Sequence, residues 1–214
     1  ALWSKKVSGV LKIGESSRKK GKLTIVPMLG WNRQMIWPQT GLSWFPTSPN
    51  IPTLDSVAGY PMTGLGAQMG KFKHGIGTKH PFRFLTYEGK SATALKSELD
   101  RIQIPGLSFQ VKTLQKADGK TVDGVYIIIS DWNSWQPTEL PFHMMRLSAL
   151  WEPTSPFTQA TESEITLFNK HVGSQAWWNA LARDGGQVDP QKFFSLWNAD
   201  SEEFTASVKP YLLY

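Results

Sequence analysis

Cysteine is absent from the 214-residue chain. Disulfides, thiolate metal sites and cysteine nucleophiles are therefore excluded. Long apolar runs are missing too: no stretch reaches the ~18 residues of a membrane span. The start, ALWSKKVSGVLKIG, lacks a long apolar core followed by a small-residue cleavage site, so it does not read as a signal peptide. Acids are scarce in the front of the chain. Lys5, Lys6, Lys12, Arg18, Lys19, Lys20 and Lys22 are met only by Glu15, and Asp55 is the only acid from Trp31 to Phe82. Nucleotide and hydrolase signatures are also lacking: there is no GxxxxGK[ST], no GxGxxG and no GxSxG. The nearest pattern, Gly75-Ile76-Gly77-Thr78-Lys79, has neither the spacing nor the strand-to-helix context of a phosphate loop. His74, His80, His143 and His171 show no metal spacing, so no metal and no cofactor are expected. His74 and His80, six apart, read as loop residues or substrate contacts, and His143 as a core or surface histidine.

What is present is a globular composition, 40% hydrophobic with ten Trp. The length suits one large domain or two small ones. The net charge of +6 is concentrated at the front. No aromatic residues interleave with that basic cluster after Trp3, so it reads as a solvated face, and nucleic acid is not expected as a partner.

Residues 4–20 read as a poorly patterned helix ending near Gly21. Residues 23–27 (LTIVP) read as a short buried strand stopped by Pro27. A charged approach, a strand and a loop form an α/β unit, in which ligands lie beyond the carboxyl ends of strands. The loop after Pro27 then offers Trp31, Asn32, Arg33 and Trp37. Residues 44–82 are too rich in Pro and Gly for one regular element and too aromatic for a linker. They predict a long ordered loop that lines or closes a site, with a short helical turn at residues 54–58 capped by Thr53.

Past Pro81 the pattern becomes regular. Strands are expected at residues 82–87, 107–114 and 124–130. Helices are expected at residues 91–102, 141–150, 163–170, 174–183 and 190–209. In the second of these helices Met144, Leu147 and Leu150 point inward. The apolar end Pro210-Tyr211-Leu212-Leu213-Tyr214 is expected to dock, since water is a costly place for it.

Glycosidases generally need two carboxylates flanking the scissile bond. Asp55 is the candidate in the loop, with helix capping as the alternative. Asp131 lies at a strand's carboxyl end, with an Asx turn before Trp132-Asn133 as the alternative. No acid/base pair can be assembled from these. Trp31, Trp37, Trp44 and Tyr60 could stack on sugar faces beside Asn32, Arg33, Asn50 and Thr78, which favours carbohydrate over nucleotide.

The same residues carry a resemblance. LTIVPMLGWNRQMIWPQTGL, SWFPTSPNIPTL, GIGTKHPF and the ending KPYLLY resemble the exo-β-N-acetylmuramidase (NamZ-type) family from about residue 20 onward. The resemblance implies an α/β fold: the tail of a Rossmann-like domain (residues 1–80), then a smaller α/β or α+β domain (residues 81–214). It implies a bacterial glycoside hydrolase that removes terminal N-acetylmuramic acid from peptidoglycan fragments. The implied compartment is the periplasm or exterior, or the cytosol for a recycling enzyme. Trp31, Ser48, Asn50, Asp55, Gly77 and Thr78 fall on family motif positions and would border a cleft, with Arg33, Gln68 and His80 as further substrate contacts. Two departures stand out. Family members are about twice as long, so an N-terminal half is the missing partner. The family's EGT motif reads Ala67-Gln68-Met69-Gly70 here, and Gln68 cannot transfer a proton as Glu does. A non-catalytic carbohydrate-binding remnant of the fold is the alternative.

Overall fold

The computed structural model describes residues 24–116 and 118–212. Its contacts define two compact units: Trp44–Phe194, and Ala1–Ser43 with Ser195–Tyr214. The boundary falls at Ser43, ahead of the compositional break near Pro81, because the Pro/Gly-rich loop packs within the larger unit. The basic cluster and the helix expected at residues 4–20 lie outside the described residues.

In the smaller unit the strand expected at residues 23–27 does not form over its described part. Ile25 is 52% and Val26 86% exposed, in irregular backbone. A strand needs a ladder partner, and the described residues of this unit include no other strand. Trp37–Thr40 forms a 3-10 turn, in which Gln39 Oε1 accepts a hydrogen bond from the Ile36 N–H at 2.9 Å. Leu212 is 42% exposed, so this part of the apolar ending does not dock as expected.

The larger unit begins with α1 (Leu54–Thr63), whose N-cap Thr53 accepts from the Ser56 N–H at 3.2 Å. The helix runs on past residue 58 and through Pro61, which ordinarily costs about 3 kcal/mol in a helix interior. Tertiary contacts outweigh that cost. Met62 is fully buried, and the Thr63 hydroxyl donates to Phe82 O at 3.0 Å.

A four-stranded antiparallel sheet follows, built from β1 (Phe72–Lys73), β2 (Phe84–Tyr87), β3 (Leu107–Gln115) and β4 (Thr121–Ile129), in the order β1-β2-β4-β3. Between β2 and β3 runs α2 (Ala92–Ile102), with Ser91 accepting from the Ala94 N–H at 3.2 Å. β4 enters between β2 and β3, so the β2-α2-β3 crossover is split. Strand side chains alternate between faces. Phe72, Leu85, Tyr87, Phe109, Val125 and Ile127 form one face and join Leu95 and Leu99 of α2 in the core.

Leu140, Met144 and Leu147 of α3 (Glu139–Trp151) complete that core. Leu150, expected inward, is 40% exposed. α4 (Glu162–Val172), α5 (Gln175–Asp184) and the start of α6 (Pro190–Val208) add an aromatic cluster. Its centre is Trp177, fully buried, with edge-on contacts to Phe142 and Phe193 and its indole N–H directed at Met145 Sδ at 3.1 Å.

Candidate functional site

The second face of the sheet carries Phe84, Tyr126, Gly124 and Lys112. Register fixes this: Phe84 pairs with Tyr126 and Lys112 with Gly124. The loop from His74 to Phe82 folds beside it. Gly75, at φ +76°, turns where an added Cβ would lie 2.6 Å from His80 O. Phe82 holds a left-handed conformation, φ +62°, that costs a non-glycine residue roughly 1–2 kcal/mol. It is pinned there by its N–H to His74 O at 2.6 Å and by the Thr63 bond to its carbonyl.

This loop brings together a group of charged and polar residues from α1, the turn before β2, β3 and β4. Arg83 is 5% exposed. Its Nε and Nη2 donate to Ile127 O at 3.0 and 2.8 Å, and Nη1 meets Asp55 Oδ1 at 2.8 Å. The Tyr126 hydroxyl lies 3.4 Å from Asp55 Oδ2, and His80 Nδ1 lies 4.0 Å from it. The His80 ring packs on Tyr126, and Lys112 Nζ stands 3.9 Å from the centre of the tyrosine ring. Burial pushes the His80 pKa below its ordinary value. Asp55 opposes this shift, and Lys112, Lys79 and Arg83 reinforce it. Burial and the Asp55 charge push Tyr126 up. The result is a neutral imidazole beside a fixed ion pair. Asp55 is the acceptor for the buried guanidinium of Arg83.

The other expected site residues separate into groups. Asn50, Gly77 and Thr78 line one hollow of about 520 Å³. Ser48 shapes its rim: Ser48 Oγ accepts from the Asn50 N–H at 3.2 Å, and Ser48 O from the Ile51 N–H at 3.0 Å. Thr78 is committed to its own loop. Its hydroxyl donates to Gly75 O at 2.7 Å and accepts from the His80 N–H at 3.1 Å. Gln68 is exposed, and its side-chain amide bonds His171 on α4 at 2.8 Å. Trp31 and Arg33 belong to the smaller unit. Trp44 ties the loop, donating from its indole to Pro52 O at 3.1 Å. Asp131 makes the Asx turn, accepting from the Asn133 N–H at 2.9 Å. No group of three potential metal ligands occurs among the described residues. Arg83, Tyr126 and Lys112 were missed in the sequence. A charged residue opening an otherwise buried strand, and a tyrosine within VYIII, were the available signals.

His74 stacks on Phe82 at 4.7 Å, and burial, followed by Lys73, lowers its pKa below 6.5. His80 shifts the same way. The unfolded chain takes up a proton near 6.5 where the folded rings resist it, so the stabilisation present above that pH is lost as pH falls through 6.5 towards the depressed folded values. The melting temperature is expected to drop from pH 7.5 to 5.5. His74→Phe, which keeps the stacking, is expected to flatten part of that slope. An unchanged slope would assign the dependence to other groups.

A mixed α/β unit with this antiparallel sheet is the fold of a DUF1343 family protein from Bacteroides fragilis NCTC 9343, known from its crystal structure. The similarity has a TM-score of 0.73 at 27% identity, covering 86% of this chain and 49% of that one. Residues 58–214 match the family described as "Exo-beta-N-acetylmuramidase NamZ, C-terminal", and residues 7–55 its N-terminal counterpart. The chain belongs to the NamZ exo-β-N-acetylmuramidase family. It is 26% identical over 196 residues to the peptidoglycan β-N-acetylmuramidase NamZ of Bacillus subtilis (strain 168), covering 90% of this chain and 45% of that protein. The chain thus spans about half the length of the relatives it matches.

Proposed function

We propose that this chain supplies a sugar-binding wall of an exo-β-N-acetylmuramidase, acting on the terminal N-acetylmuramic acid of peptidoglycan fragments in the bacterial periplasm or exterior. The observation that carries this reading is the ordered match to both family segments. The Pro/Gly-rich loop that straddles their junction folds into a hollow lined by Asn50, Gly77 and Thr78. Hydrolysis needs a proton donor and a second carboxylate or its equivalent.

A second reading, a non-catalytic sugar-binding form, is favoured by one feature. Asp55 is tied to Arg83, and Gln68 stands where the family motif has Glu. Incubating the purified chain with a chromogenic N-acetylmuraminide separates the two. Release of the chromophore, abolished by excess N-acetylmuramic acid, is expected for the enzyme. Saturable binding of the muraminide with no turnover would move the protein to the second reading.

A further inference from the structure

Two hollows adjoin on the second face of the sheet. The larger, about 520 Å³, has Lys79 and Gln115 on its wall. The smaller, about 400 Å³, has Lys73, His74 and Thr86. They share Ile76, Thr78 and Lys116. Among the described residues no Asp or Glu lines either hollow, although the muramidase chemistry itself calls for carboxylates. Three ammonium groups around a concave space with apolar walls concentrate positive potential and attract anions. A carboxylate gains more from such an arrangement than a neutral sugar does.

The anion is not taken as a phosphate loop would take it. Both the Thr78 N–H and the Thr78 hydroxyl are turned inward onto Gly75 O. The lysines are what remains to meet it. The walls also suit a sugar. Phe84, Val122 and Ile76 give an apolar floor, and Asn50 and Gln115 give amides at the edge.

We propose that this double hollow recognises a carboxylate on the sugar ligand. Lys116 meets it from the shared wall, and Lys73 and Lys79 flank it. The proposal rests on the muramidase reading. N-acetylmuramic acid differs from N-acetylglucosamine by a lactyl ether bearing a carboxylate, and peptide-substituted muramyl sugars carry their carboxylates on the stem peptide instead. The shared chemistry is a carboxylate a few bonds from the ring. The lysine wall is then the specificity device that separates muramyl sugars from their neutral counterpart.

Four ligands, titrated into the full chain by calorimetry with amide chemical shifts recorded in parallel, test this. They are N-acetylmuramic acid, N-acetylglucosamine, a muramyl peptide with free carboxylates, and an N-acetylmuramic acid amide with none. N-acetylmuramic acid is expected to bind about tenfold or more tightly than N-acetylglucosamine, the size of one charge-assisted hydrogen bond. The preference should shrink as salt screens the lysines. Lys116→Gln is expected to remove most of the preference, read as the ratio of the two sugars' affinities. Binding of the muramyl peptide but not of the amide would place the recognised carboxylate on the stem as well as on the lactyl group. Equal binding of the acid and neutral sugars, with shifts in these residues, would overturn the anion site while leaving the sugar-binding reading intact. Binding of neither sugar would overturn both.

Discussion

Asp55→Ala is expected to lower the stability of the larger unit by about 3–5 kcal/mol, the cost of leaving a buried charge without its partner. For a domain of this size that corresponds to a fall in melting temperature of roughly 6–20 °C. The reason lies in the asymmetry of the pair. Arg83 is 5% exposed, whereas the Asp55 side chain is 39% exposed. Removing the aspartate strands a guanidinium that water cannot reach. Removing the arginine leaves a carboxylate that can rehydrate, so Arg83→Met is expected to cost less than Asp55→Ala. Urea denaturation of the two single variants and the double variant measures both the order and the coupling. If Asp55→Ala melts within a degree of the parent and turnover is lost, Asp55 is a catalytic group and the structural account of it is wrong.

Gly124→Ala is expected to destabilise by about 1–3 kcal/mol through overpacking and to weaken sugar binding. An added Cβ on this strand residue would lie 2.4 Å from Phe84 Cζ and 2.6 Å from Leu85 O. Phe84 is 1% exposed and lines the smaller hollow, so its ring cannot retreat without reshaping the site. The strand backbone cannot retreat without breaking the β2–β4 pairing. Phe84→Leu in the same chain removes the ring collision but not the carbonyl one, so partial recovery of stability is expected. Thermal unfolding and N-acetylmuramic acid titration read the two effects separately. A Gly124→Ala chain with parental stability would show that the glycine is not required for this packing.

Much of the fold was legible in the sequence, because its signals are local. Ser91 before an amphipathic run gave α2 to within a residue, and GVYIIIS gave the central strand. Thr53 was identified as a cap, although the end of α1 was not, since its continuation through Pro61 depends on contacts far away in the chain. The strand expected at residues 23–27 failed for the converse reason. A β-branched run reports a preference for extended backbone, but a strand exists only where another strand accepts its hydrogen bonds. Among the candidate site residues, Asn50, Gly77 and Thr78 border a hollow, as the composition of an ordered loop leads one to expect. Gln68 turns to His171, a direction that a motif position does not specify.

By itself the sequence determined the order of elements, the family, and the chemistry that is absent: no thiol, no phosphate loop and a single acid in the long loop. These follow from residue type and spacing, which need no partner. Only the tertiary structure decided what that acid does. Asp55 and Arg83 are twenty-eight positions apart, and Tyr126 and Lys112 arrive on other strands. A charge pair is defined by distance through space, and antiparallel pairing, which no local propensity encodes, sets that distance.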